Sequence, residues 1–300
     1  MKYGIKIIVF FLSGILLQQL WAGKTQLKME EFLEDEIQVT GFKLFKESDI
    51  HIEALGAGVK SSRIRINSNF QDKNGMIAYG WILDANTREL KWVMSNQNTE
   101  RSGRGYNRKF EGEVHLPAGE YEVYFSTLKN NIFFKHGVFS FGDFLDYLFD
   151  GDDWWQRGLD EWYIQIQNVD EMLDESTISK LQSNFKKDAI VSLSEIGDAE
   201  YREFEFQVTD KIEATVYAIG EGFDGEMYDY SWILNADTRE KIWEMREWHT
   251  DYAGGAVKNR MVKKDISLDK GQYTLVCVSD GSHSAENWNS NPPYDPNFWE

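Results

Sequence analysis

One cysteine, Cys277, stands in 300 residues, so no disulfide can close within the chain and its stability has to come from packed cores. Proline is scarce and placed late: Pro117 stands alone, and Pro292, Pro293 and Pro296 crowd the end. Basic residues are few. Against 50 Asp and Glu there are 32 Lys and Arg, a formal net charge of −18, and no basic stripe exists. Nucleic-acid binding depends on Lys and Arg displacing condensed counterions, so that class of partner is excluded. An anionic membrane surface is disfavoured for the same reason. The acidity fits a soluble, self-repelling surface and permits cation binding. After residue 22 no apolar run approaches the ~20 residues a membrane span requires.

The first 22 residues, "MKYGIKIIVFFLSGILLQQLWA", do contain an apolar run, preceded by Lys2 and Lys6 and ending at the small residue Ala22. This is the pattern of a secretory signal peptide. Leu20 sits where a smaller residue suits cleavage, so an uncleaved anchor is the competing reading. No Cys follows the run, which excludes a lipoprotein signal. Export with a single Cys points to a bacterial periplasmic or extracellular protein, with no membrane span after cleavage.

Aromatic residues make up 15% of the chain, with 11 Trp, a content suited to β-sandwich cores or to ligand-stacking surfaces. Two of these Trp open a repeated phrase. "WILDANTRELKWVM" at 81–94 returns as "WILNADTREKIWEM" at 232–245, identical at nine of fourteen positions. The match extends outward. "IHIEALGAG" (50–58) parallels "ATVYAIGEG" (214–222), and "NRKFEGEVHLPAGEYEVYFST" (107–127) parallels "NRMVKKDISLDKGQYTLVCVS" (259–279). The order is kept and each unit is too long for a solenoid repeat, so the chain carries tandem homologous domains. Their expected bounds are 34–169, with an aromatic and acidic insertion at 139–155, and 188–300, joined by a helical linker at 170–187.

Alternation at Ile50, Ile52 and Ala54, at Tyr121, Val123 and Phe125, and at Phe204, Phe206 and Val208 predicts half-buried strands. The repeated phrase reads as a β-hairpin, with Asx-rich turns at 84–87 and 235–238 and with Trp81 and Trp92 packed in the core. Arg88 and Glu89, repeated as Arg239 and Glu240, fit a hairpin-end ion pair or Trp stacking better than a reactive site. "STISKLQSNF" (176–185) predicts a helix with Ile178, Leu181 and Phe185 on one face and Ser176 as cap. In the insertion, Phe141, Leu145 and Leu148 suit one face of a short helix. Many short strands and little helix give the fold class: all-β, two tandem antiparallel β-sandwiches of jelly-roll-like kind.

In "EFEFQVTDKIEATVYAIGEG", "DYSWIL" and "LDKGQYTLVCVSD" the second unit resembles secreted bacterial β-sandwich modules of the pre-peptidase C-terminal type, and "PAGEYEVYF" extends the likeness to the first. The first unit has "AYGWIL" and lacks the Asp found at Asp229. The resemblance implies an accessory or adhesive role beside a catalytic domain, and no activity of the module's own.

The last stretch, "SDGSHSAENWNSNPPYDPNFWE" (279–300), holds the candidate ligand-binding residues Asp280, His283, Trp288, Asn289, Tyr294 and Asp295. A Ser/His/Asp hydrolase reading lacks a GxSxG elbow and any sign that Ser282 or Ser284 meets His283. A calcium reading draws on Asp280, His283 and Asp295 but falls short of six oxygen ligands, so no cofactor is assigned. A loop folded over one sandwich end, with Trp288 and Trp299 plugging a core, accounts for the composition. Within it Trp288 and Tyr294 remain candidate sugar-stacking platforms. Gly254 and Gly255 in "TDYAGGAVKNR" lack the strand–loop–helix context of a phosphate loop and read as an ordinary connection. His249 and His283 are placed by nothing in the sequence.

"WYIQIQ" from Trp162 is an alternating strand that closes the first unit, and the second has no counterpart before residue 300. The second sandwich is therefore expected to lack its last strand, to be supplied by residues beyond 300 or by another chain. These readings converge on an exported, non-catalytic tandem β-sandwich acting as a binding or accessory module for a glycan or a protein. The alternatives are an exported hydrolase or metal-dependent enzyme using the 280–295 loop, and a structural component of a cell-surface assembly.

Overall fold

The computed structural model describes residues 25–58, 75–103, 105–128, 153–284 and 288–299. The signal segment and the insertion up to 152, with Phe141, Leu145 and Leu148, lie outside the described residues.

Among the described residues, ten strands build the first unit: β1 (Thr25–Met29), β2 (Ile37–Leu44), β3 (Ser48–Gly58), β4 (Met76–Asp84), β5 (Leu90–Val93), β6 (Glu100–Arg101), β7 (Asn107–Leu116), β8 (Gly119–Ser126), β9 (Tyr163–Val169) and β10 (Glu171–Leu173). One layer runs β1-β9-β3-β7-β6 and the other β10-β2-β8-β4-β5, all antiparallel. The start of β4 also pairs β3, at Ala57↔Ala78, and stitches the layers together. β1 precedes the expected start at 34, and β10 pairs β2 inside the stretch expected as linker, so the first unit runs further in both directions than its sequence pattern.

Seven strands build the second unit: β11 (Tyr201–Val208), β12 (Ile212–Phe223), β13 (Glu226–Asn235), β14 (Lys241–Glu244), β15 (Asp251–Tyr252), β16 (Asn259–Leu268) and β17 (Gly271–Val278), in the order β11-β17-β13-β12-β16-β15 with β14 on β13. The registers superimpose the repeats. β13 pairs β17 at Ile233↔Leu275 as β4 pairs β8 at Ile82↔Val123, and β12 pairs β16 as β3 pairs β7.

The repeated phrase is a hairpin in both units, with Ile82 opposite Trp92 and Ile233 opposite Trp243. Its turn is held by an Asx side chain. Asp84 Oδ1 accepts from the backbone N–H groups of Asn86 and Thr87 at 3.0 and 2.8 Å, and Asn235 Oδ1 accepts from Asp237 and Thr238 at 3.0 and 2.9 Å. Trp92 and Trp243 point inward and are buried in the two cores. Trp81 belongs to the first core cluster, but it projects from the other face of β4 to Ile82, where it stacks on Tyr124 at 5.2 Å. Its twin Trp232 is only half-buried, under the Lys241 ammonium 5.2 Å from the ring.

Helix α1 (Asp153–Glu161) precedes β9 and sets Trp155, Leu159 and Trp162 into the first core. Helix α2 (Glu175–Lys187) joins the units, with Ile178 buried. Its cap is Asp174, whose carboxylate accepts from Thr177 N–H at 2.7 Å, and not Ser176, which donates to that carboxylate instead.

The units differ in closure. β9 lies along β3 from His51↔Gln167 to Leu55↔Tyr163, and Ile50, Ile52 and Ala54 have no exposure. Their repeat equivalents on β12, Ala214, Val216 and Ala218, are half-buried, and among the described residues no strand pairs β12 on that edge between 212 and 219.

Candidate functional site

After β17 the chain packs on its own sandwich, where the Asn291 carbonyl accepts from Ala256 N–H and Trp299 meets Ile219, and it also reaches the first unit. Residues 288–299 run between the units and grip the first one. Tyr294 enters the first core cluster, where its carbonyl accepts from Trp81 Nε1 at 2.6 Å, while Asn297 Nδ2 donates to the Tyr124 hydroxyl at 3.2 Å. Asp295 meets Arg88, which has Asp295 on one side and Glu122 on the other, through four hydrogen bonds of 2.6–3.0 Å. All three side chains are almost wholly excluded from water. Burial works against the Arg88 charge, but Asp295 and Glu122 outweigh it and hold the guanidinium protonated. Burial pushes the Asp295 carboxyl up, and Arg88 and the Tyr217 hydroxyl, 2.7 Å away, oppose that push. Phe298 receives the Arg88 guanidinium 4.6 Å over its ring. The hairpin-end ion pair expected of Arg88 is made, and by joining Glu122 to Asp295 it acts as a clasp. Its twin Arg239 is exposed and makes no such contact.

Gly254 and Gly255 explain themselves here. Both have positive φ, 92° and 65°, and a side chain on either would collide with the Tyr294 ring or the Pro292 carbonyl. The glycine pair is the bed on which the chain end lies.

His283 is buried beside Trp288 and Trp299. Nε2 lies 2.9 Å from Asn259 Oδ1, and the Asn259 amide group already donates to the Gly254 and Asn291 carbonyls, so Nε2 carries the proton. Nδ1, 2.9 Å from the Asn289 side chain, is then the acceptor, with the amide turned to donate. Burial lowers the His283 pKa to about 4, so the ring stays neutral. Ser282 donates to Asp280 and not to His283. His249 is exposed beside Trp248. The Ser/His/Asp constellation is therefore not assembled.

The proposed calcium set of Asp280, His283 and Asp295 is not assembled either, because His283 is bound to amides and Asp295 to Arg88. Asp280 instead joins Glu221 and Asp229, with one oxygen from each lying within 4.8 Å of the others. Glu221 comes from the end of β12, Asp229 from β13, and Asp280 follows β17, so three adjacent strands aim carboxylates at one point. Asp229 is fully buried. Its Oδ1 accepts from Asp280 N–H at 2.7 Å, and its Oδ2 has no hydrogen-bond partner among the described residues. Burial, with the charges of Glu221 and Asp280 adding, pushes the Asp229 carboxyl up to about 8. Burial likewise raises Glu221, against the pull of Lys258 at 3.2 Å.

The twin unit gives a reference. By register Glu221, Asp229 and Asp280 correspond to Ala57, Ala78 and Leu128, all apolar and buried. The same strand positions that make core in one sandwich gather negative charge in the other. In the sequences of the two units only Asp229 stands out, against the first unit's "AYGWIL". Glu221 lies one residue inside a matched strand, where no local pattern sets it apart.

Among the sequence-stretch candidates, Tyr294 and Asp295 are buried in the clasp, Trp288 is half-buried edge-on to Trp299, and Asn289 holds His283. Trp299 has no exposure and plugs the small cluster of Ile219, Ala253 and Phe298. Tyr294 is buried against Trp81 and Tyr252, and Trp288 meets His283 and Trp299 at steep ring angles.

No described protein family and no curated protein matches the sequence. Among solved structures, the chain is similar to the pre-peptidase C-terminal domain of a collagenase from Bacillus anthracis, at 9% identity and a TM-score of 0.21, over 49% of this chain and 89% of that one. It is also similar to the CUB1-EGF-CUB2 region of human MASP-1/3, at 9% identity and a TM-score of 0.25, over 89% and 97%. At this identity the likeness concerns the β-sandwich fold alone. Among the described residues no helix is long and apolar enough to cross a membrane.

Proposed function

We propose that the chain is an exported, non-catalytic binding module for a protein ligand, and that its second sandwich is set by a divalent cation of calcium's chemistry held by Glu221, Asp229 and Asp280. The observation that carries the cation reading is the exchange of three buried apolar positions for three converging carboxylates between twin sandwiches, with one Asp229 oxygen left bare. Buried polar atoms are nearly always satisfied, and a hard cation satisfies carboxylate oxygens while cancelling their mutual repulsion. Asp280 N–H and the neighbouring Lys258 order the rim, and water completes the coordination. The protein ligand is favoured over a glycan because Trp288 and Tyr294, the expected stacking platforms, are engaged within the fold.

Isothermal titration of the chelator-treated chain with calcium is expected to give one saturable site. At a hundredfold excess over its Kd the ion should add about 2.7 kcal/mol of stability, a rise in Tm on the order of 5 °C. Asp229→Asn should abolish both while leaving the fold intact in the absence of the ion. A chain whose Tm and heats ignore calcium and magnesium alike contradicts the cation reading.

A further inference from the structure

We propose that the open edge of β12 is a docking site for an extended segment of another polypeptide, which adds to it antiparallel, as β9 adds to β3. This rests on the reading of the chain as a protein-binding module and makes no use of the cation.

The first unit shows what belongs at this edge. β9 follows β3 residue by residue, from Gln167 opposite His51 to Tyr163 opposite Leu55, and sends Ile164 and Ile166 into the core. By repeat, its place in the second unit runs along Thr215–Ile219. Those residues pair β16 on one side and no strand among the described residues on the other. Every second residue of a strand directs its N–H and C=O to the same side, so the edge presents backbone groups to solvent.

The core behind the edge is equally unfinished. Ala214, Val216 and Ala218 are half-buried where their twins are fully buried. On the facing layer Phe204 is 51% exposed, although it lies on the same face of β11 as the buried Phe206. The connection ahead of β11 reaches this core with Val191, partly buried. The outer face of β12 is not the opening, because Tyr217 there packs edge-on against Phe185 and Phe298. What is missing has the shape of one strand.

Two observations select the occupant. The inward positions to be filled face Ala214, Val216 and Ala218, so the segment carries apolar residues at alternate places, as "YIQIQ" does. The flank is acidic on balance, with Glu203, Glu205, Asp210 and Glu213 exposed beside Arg202 and Lys211, and the chain carries a net charge of −18, which opposes a second copy. The partner is therefore a different polypeptide presenting a neutral or basic extended segment, bound mainly by main-chain hydrogen bonds, with specificity from alternate side chains.

The test uses the full chain and, as probe, a synthetic peptide of the sequence YIQIQNV flanked by lysines, with a control peptide in which both isoleucines are aspartate. Saturable binding of the probe, roughly tenfold or more tighter than the control, and about tenfold slower amide exchange across 213–219 in the bound state are expected. A second form carries the same heptapeptide fused behind residue 300 on a flexible linker. Its Tm should rise above that of an aspartate-bearing fusion. Absence of binding, of exchange protection and of a Tm difference overturns the proposal, and the calcium titration then still reports on the module independently. A chain that sediments as a dimer and is dissociated by the fused strand overturns it in favour of a second copy as occupant.

Discussion

Arg88→Met is expected to cost about 3–5 kcal/mol in urea unfolding followed by Trp fluorescence, because it leaves two carboxylates buried without their cation. Glu122 and Asp295 each take two hydrogen bonds from the guanidinium and sit at 0% and 5% side-chain exposure. Their remaining bonds are also internal, with the Tyr124 hydroxyl donating to Glu122 and the Tyr217 hydroxyl to Asp295. The repeat supplies an internal control. Arg239 occupies the same turn position with the same positive φ, 61° against 60°, yet it is exposed, so Arg239→Met should fall within about 0.5 kcal/mol of the parent. A triple variant, Arg88→Met with Glu122→Leu and Asp295→Leu, should recover most of the loss, because a buried ion triad exchanged as a whole for apolar groups carries little penalty. Equal effects at Arg88 and Arg239 would mean that the clasp is not made.

Trp299→Ala is the second large effect, about 3–5 kcal/mol by the usual cost of emptying a buried Trp site. Trp299 has no exposure, stands edge-on to His283 and Trp288 at 5.4 and 5.3 Å, and its carbonyl accepts from Glu195 N–H at 3.1 Å. It anchors the chain end on the second unit, while Tyr294 and Asp295 hold the first. Its loss should therefore loosen the junction before either sandwich melts, with limited proteolysis cutting the connection around 188–199 earlier than in the parent. Trp248→Ala, at a site 61% exposed, is the control expected to change little.

The repeat, the hairpin and its Asx turn, and the sandwich class were all legible in the sequence, because they rest on local chemistry: period-two alternation, turn residues, and identity between the copies. The burial of Trp299 was legible too, since a Trp in a Pro- and Asn-rich loop has few other destinations. The clasp was not. Arg88 and Asp295 are 207 positions apart and no local pattern joins them. The bed of Gly254 and Gly255 was likewise illegible, because the reason for two glycines is a segment that arrives about forty residues later. The carboxylate nest was half-visible. Asp229 stood out against the first unit, but its partners needed the strand register before Glu221 opposite Asp229 could be set beside Asp280. Asp280, His283 and Asp295 are near one another in sequence, but folding separates them into three environments: a carboxylate nest, an amide pair and an ion triad.

Duplication followed by division of labour ties these features together. The first sandwich keeps its own closing strand and an apolar core. Residues 288–299 of the second reach the first, and among the described residues its β12 edge has no partner strand and its core carries a buried acidic point. Amide hydrogen exchange of the ion-free chain, compared between the twin strands, tests this most directly. Opening of a fully bonded core strand approaches global unfolding, whereas a bare edge opens locally, so residues 51–55 on β3 should exchange at least about a hundredfold more slowly than residues 215–219 on β12. Equal protection on the two strands would contradict the account.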